Sequence, residues 1–141
     1  MNQASGLLLD TDVVADVRSG SPDPAVIKFL RLRRHQRLYL SVLTVGELYR
    51  LHGDASGQDP GQDPGRGWVE ELQQRFPANI LPIDSAVAVK WAPLAAVPGL
   101  DAIDSLIAAT ALRHRLTVVC RDAIRFAELG LNAVTPFSST S

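Results

Sequence analysis

The chain has 141 residues, and its 14 Lys and Arg against 15 Asp and Glu leave a formal net charge of −1. A 46% hydrophobic and 21% charged composition is that of a globular domain, long enough to bury a core without covalent staples. The charge balance excludes capture of nucleic acid by a global positive field, and the one cysteine, Cys120, excludes an internal disulfide and a cysteine-built zinc cage.

In chain order, MNQASG lacks the basic and apolar regions of a secretory signal, and no later apolar run approaches a membrane span. A cytoplasmic protein without a membrane partner is expected. LLLD (7–10) is a short continuous apolar run and predicts a buried strand. It runs into Asp10-Thr11-Asp12, which suits both a helix start and a cation site. PAVIKFLRLRRH (24–35) opens with proline, sets Val26, Ile27 and Leu30 on one face and ends in arginines, predicting an amphipathic helix. RLYLSVL (37–43) predicts a strand, and TVGELYRLH (44–52) a helix opened by a capping box of Thr44 and Glu47. GDASGQDPGQDPGRG (53–67) doubles a Gly-Gln-Asp-Pro unit and predicts a mobile loop.

WVEELQQRF (68–76) predicts a helix stopped by Pro77, and NILPI (79–83) a strand. SAVAVKWAPLAAV (85–97) predicts a helix capped by Asp84 and kinked or shortened at Pro93. DAIDSLIAATALRHR (101–115) sets acids at its start and basic residues at its end, as the helix dipole favours. LTVV (116–119) predicts a strand, RDAIRFAELG (121–130) a helix stopped by Gly130, and NAVTPF (132–137) a last short strand. This alternation predicts an α/β fold in one domain over residues 1–141. A central parallel sheet of about five short strands would lie between two helical layers.

Acids recur at the predicted strand ends and helix starts: Asp10, Asp12, Glu47, Asp84, Asp101, Asp104 and Asp122. Taken singly, each reads as a helix cap, because orphan N–H groups and the dipole welcome a carboxylate. Taken together they read differently. In an open parallel sheet the strands end on one edge, so Asp10, Glu47 and Asp122 gather there and the 101–115 helix adds Asp104. Four carboxylates on one edge repel one another unless a cation lies between them. An all-oxygen acid set selects Mg²⁺ or Mn²⁺ over zinc or copper. His35, His52 and His114 lack zinc spacing, and Cys120 follows an apolar strand as a small buried hydrophobe does.

The segments LLLDTD, LSVLTVGELYRL, IDSLIAATALRHRLTVVCRD and VTPF resemble PIN-domain ribonucleases, in particular the VapC toxins of type II toxin–antitoxin pairs. The likeness runs from Leu7 to Phe137, and IDSLIAATAL followed by an apolar strand and Arg-Asp is its most specific piece. The resemblance implies a PIN-like three-layer α/β/α fold. It implies that Asp10, Glu47, Asp104 and Asp122 form the catalytic, metal-binding set, with Thr11 as the polar neighbour that orients it and Asp12 as a secondary acid. The chain departs from the family pattern at Asp12, where asparagine is common, at Cys120, where a hydroxyl residue is usual, and at Arg125, where many members carry an acid. Asp122, the acid nearest the strand end, is therefore taken as the fourth member, and Asp101 as a cap.

The activity so implied is Mg²⁺-dependent endoribonuclease cleavage by the toxin of a toxin–antitoxin pair. The implied partners are a cognate VapB-like antitoxin, an RNA substrate and a second copy of the chain. Arg31, Arg33, Arg34 and Arg37 read as phosphate contacts or as a solvated helix end. Tyr49, Leu51 and Trp68 flank the loop as groove or core residues. Two alternatives stay open. One is a haloacid-dehalogenase-type phosphatase with Asp10 as nucleophile and Asp12 as acid/base, which leaves Glu47 and Asp104 idle. The other is a degenerate PIN domain that acts by binding.

Overall fold

The computed structural model describes residues 6–52 and 64–138. Its strands are β1 (Gly6–Leu9), β2 (Arg37–Ser41), β3 (Ile80–Leu81), β4 (Thr117–Val119) and β5 (Ala133–Val134). They form one sheet in the order β3-β2-β1-β4-β5, and every pairing is parallel. The helices are α1 (Thr11–Val17), α2 (Pro24–Leu32), α3 (Val42–His52), α4 (Pro64–Arg75), α5 (Ser85–Leu94), α6 (Ala102–His114) and α7 (Ala123–Ala127).

β1 is continuously apolar because it is the central strand and both of its faces are covered. Leu8 points into one core with Val118, joined by Val87 of α5, Ile107 of α6 and Phe126 of α7. Leu7 and Leu9 point into the other with Val119, joined by Val13, Val26, Leu48 and Val69 of α1 to α4. The sheet is thus the middle of three layers. Burying side chains such as Leu8, Ile107 and Phe126 favours folding by about 1.5–3 kcal/mol each. Gly6 is fixed by a close approach: a Cβ there would stand 2.9 Å from the Arg37 carbonyl and from the Tyr39 ring.

Several boundaries differ from the sequence expectation. β2 stops at Ser41 and α3 begins at Val42, because the Ser41 hydroxyl accepts the Leu43 N–H at 3.0 Å and caps the helix. The capping box expected of Thr44 and Glu47 therefore does not form, and both residues lie inside α3. α4 begins at Pro64, so residues 64–67 of the expected loop are helical, with proline as the start signal. The rest of that loop, 53–63, lies outside the described residues. α2 ends at Leu32 rather than His35, and the Arg33 guanidinium folds back 3.8 Å over the Phe29 ring. The expected strands 79–83 and 132–137 each shrink to two residues, the first behind a short 3-10 turn over Pro77–Asn79.

Other expectations hold. Asp84 accepts the Val87 N–H at 3.0 Å, and α5 ends one residue past Pro93. The helix expected over 121–130 is shorter, with α7 ending at Ala127, and Gly130 turns the chain beyond it at φ 85°, a conformation that favours glycine.

Leaving β1, the chain builds β2 and β3 on one side and only later β4 and β5 on the other. The order reverses between β1 and β4, and a crevice opens at such a switch point beyond the strand ends. Asp10 stands at that place.

Candidate metal centre

The site grows from the exit of β1. The Asp10 backbone N–H donates to the Val119 carbonyl at 2.9 Å, locking the strand end to β4. The Asp10 carboxylate caps α1 by accepting the Thr11 N–H at 2.8 Å. Asp10 is thus the helix start that the sequence suggested, and the same residue lines the cleft described below. One residue on, the Thr11 hydroxyl donates to Glu47 Oε1 at 2.5 Å, which turns the Glu47 side chain of α3 toward the sheet edge. Thr11 Oγ1 also lies 3.1 Å from the buried Thr44 hydroxyl; its proton is given to Glu47, so Thr44 is the donor in that pair. From the other helical layer, Asp101 caps α6 by accepting the Asp104 N–H at 2.8 Å, and Asp104 faces the same crevice.

A cleft of about 630 Å³ results, lined by Asp10, Thr11, Asp12, Glu47, Asp101 and Asp104 together with Arg50 and Arg125. Three of the four acids expected to converge, Asp10, Glu47 and Asp104, share it. Asp122 does not line it. It stands at the start of α7 with a 59% exposed side chain, makes no capping hydrogen bond, and lies 3.9 Å from Arg125 Nε. Asp12 does line the cleft. One of its oxygens accepts the Arg121 N–H at 3.0 Å and ties α1 to the chain leaving β4, while its other oxygen is buried without a hydrogen-bond partner. Asp101 is a cap, as expected, and a cleft wall as well.

Charge is concentrated here. Burial, followed by the Asp12 carboxylate and more weakly by Asp104 and Glu47, pushes the Asp10 carboxyl from 3.8 up to about 6. Burial raises the Asp12 carboxyl too, against the opposing Arg121 N–H bond. Burial likewise raises Asp104, against the opposing pull of Arg125. Arg125 Nη2 meets Asp104 Oδ2 at 2.9 Å. These oxygens suit a hard divalent cation, since buried acids that oppose one another's ionisation gain most from one. Among the described residues, no three acidic, histidine or cysteine side chains are yet drawn around one point. Thr11 holds Glu47 and Arg125 holds Asp104. The donor chemistry fits such an ion, and two identifiable contacts set how these carboxylates stand.

Sequence reasoning took neither Arg50 nor Arg125 for a cleft cation, and noted Arg125 only as standing where many family members carry an acid. Arg50 lies three residues after Glu47 on α3, so helical spacing alone places it beside that acid. Nothing local pairs Arg125 with Asp104, 21 residues earlier on another helix. The arginines it did single out lie elsewhere. Arg37 opens β2, and Arg31, Arg33 and Arg34 lead into it, so all four sit where the strands begin, at the opposite edge of the sheet from the cleft. Cys120 is 1% exposed, and burial pushes its thiol up to about 12, as expected of a packing residue. Of the loop-flanking residues, Leu51 lines the cleft and the Tyr49 hydroxyl accepts from Gln73 Nε2 at 2.7 Å. Trp68 lines an apolar groove on the face of α1, α2 and α4.

Comparison with known proteins agrees with this architecture. Residues 7–131 match the PIN domain family. VapC ribonuclease Y4jK of Sinorhizobium fredii is 29% identical over 93% of this chain and 97% of its own length. Toxin FitB of Neisseria gonorrhoeae is 33% identical over 85% of this chain and 90% of its own. The crystal structure of FitAcB from Neisseria gonorrhoeae superposes with a TM-score of 0.71 at 31% identity, covering 92% of this chain and 97% of that one. The phosphatase alternative falls with this match, and with a cleft that engages the Glu47 and Asp104 it would leave idle. The chain belongs to the PIN-domain family.

Proposed function

We propose that the chain is the toxin of a VapBC-type toxin–antitoxin pair, a single PIN domain over residues 1–141 that cuts RNA phosphodiester bonds with Mg²⁺, or Mn²⁺ in its place. The observation that carries this is the convergence of Asp10, Glu47 and Asp104 from three separate elements on one cleft at the switch point of the sheet. Helix capping accounts for Asp10 and Asp101 but not for Glu47, which sits in mid-helix and is held by Thr11.

Asp10, Glu47 and Asp104 are the residues that would hold the ion, with Asp12 as a secondary acid behind Asp10 and Asp122 at the rim beside Arg125. A divalent ion held by them would supply a Lewis acid, lowering the pKa of water and neutralising charge on the phosphoryl oxygens. Thr11 holds Glu47 through Oε1, and a carboxylate so oriented in the cleft would take the proton of the attacking water.

An endonuclease that acts on cellular RNA has to be silenced, and a VapB-like antitoxin is the proposed partner, with a second copy of the chain completing a homodimer. The apolar groove, lined by Leu9, Val17, Leu30, Trp68, Leu72 and Phe76, suits the apolar side chains of such an antitoxin. No helix among the described residues is long and apolar enough to cross a membrane.

The test is direct. The isolated chain, freed of any copurifying partner, is expected to cut structured RNA internally in Mg²⁺ and to stop in EDTA. RNA left intact in both Mg²⁺ and Mn²⁺ would overturn the proposal.

A further inference from the structure

A polyanion does not approach a cleft walled by five carboxylates on the strength of a metal alone. Its flanking phosphates need fixed positive charge within a few ångströms. The four arginines of residues 31–37 stand at the far edge of the sheet, and Arg33 is spent on the Phe29 ring. Among the described residues, the cations that line the cleft are Arg50 and Arg125. They come from opposite layers. Arg50 is on α3, whose Val45 and Leu48 pack in the core of α1 to α4, and Arg125 is on α7, whose Phe126 packs in the other core. Asp10, at the end of the middle layer, lies between them. Arg125 gives Nη2 to Asp104 and keeps its buried Nε 3.9 Å from Asp122, yet its side chain remains 40% exposed, with Nη donors left over.

We propose that Arg50 and Arg125 are the phosphate clamp of this site, binding the single-stranded RNA backbone on either side of the acids, and that the basic run of residues 31–37 takes no part. This rests on the ribonuclease reading and assigns the substrate contacts it leaves open. An arginine that contacts backbone acts alike on every base, so the pair sets affinity and register and leaves sequence choice to other groups.

The experiment measures binding of fluorescein-labelled single-stranded RNA by polarisation across a salt series, in the full chain carrying Asp10→Asn so that the RNA stays whole. Arg50→Gln and Arg125→Gln should each weaken binding roughly fivefold and each lower the slope of log K against log salt by about 0.7, one single-strand phosphate contact apiece. Arg125→Lys, which keeps the charge and can still pair with Asp104, should keep most of the slope. That separates loss of a phosphate contact from the unpairing of Asp104. The quadruple variant Arg31→Gln, Arg33→Gln, Arg34→Gln, Arg37→Gln should leave slope and affinity unchanged. If the quadruple variant flattens the slope while Arg50→Gln and Arg125→Gln do not, this inference is overturned; continued RNA cleavage by the unmutated chain would leave the ribonuclease reading standing. If the chain neither binds nor cuts RNA, both fall together.

Discussion

Asp10→Asn should make the metal-free protein more stable while removing its activity. A carboxyl at position 10 titrates near 3.8 in the unfolded chain and at about 6 in the folded one, mainly because the fold buries it beside Asp12. The folded state therefore holds that proton more tightly. The stability this contributes is complete below pH 3.8, drains away as the pH climbs to about 6, and is gone above it. At about 1.4 kcal/mol per pH unit, the ionised carboxylate costs the metal-free fold about 2–3 kcal/mol at pH 8. Asparagine removes the charge and keeps an oxygen for the Thr11 N–H, so the α1 cap survives. For a chain of this length, with about 3 °C per kcal/mol, the variant should melt roughly 6–9 °C above the unmutated protein at pH 8 in EDTA. The gap should fall to about half by pH 5 and nearly close by pH 4. Millimolar Mn²⁺ should narrow it at pH 8 by stabilising the unmutated protein alone. Calorimetry at three pH values, with EDTA and with Mn²⁺, reads all of this. An Asp10→Asn protein that melts at or below the unmutated one at pH 8 in EDTA would refute the reasoning.

Other consequences are as open to measurement. Thr11→Val removes the hydroxyl that holds Glu47 and meets Thr44, so RNA cleavage should fall by about 10–100-fold, with Thr11→Ser restoring it. Gly6→Ala forces a methyl against the Arg37 carbonyl and the Tyr39 ring, and chemical denaturation should show a loss of about 1–3 kcal/mol. Cys120, buried and with its thiol pushed up to about 12, should resist a disulfide reagent at pH 8 in the folded protein and react once urea exposes it.

The layered sheet was legible in the sequence because its signals are local: a continuous apolar run for the central strand β1, proline at the start of α2, aspartate before α5 and α6, and glycine after α7. The boundaries that shifted are those where two local signals compete. Ser41 and Thr44 both offer a cap oxygen, and only the fold decides that Ser41 caps while Thr44 turns inward to Thr11. The acids were legible because strand ends in a parallel sheet share an edge, which brought out Asp10, Glu47 and Asp104. Asp122 was placed by the same rule. Yet the chain leaves β4 through Cys120 and Arg121 before reaching it, and its carboxylate ends at the rim. The arginines were read in sequence clusters, whereas a cleft collects them from different helices. That is why Arg125, bonded to Asp104 across 21 residues, was noted only as standing where many family members carry an acid, while the cluster at 31–37 was read as the phosphate contact.

The central claim is that the acids which destabilise the metal-free fold are the ones that cut RNA. Its most direct test is the cleavage rate of a structured RNA in Mg²⁺ by Asp10→Asn and Asp104→Asn proteins shown by calorimetry to be folded. The expected result is loss of internal cleavage in both. Full cleavage by both folded variants would contradict the account.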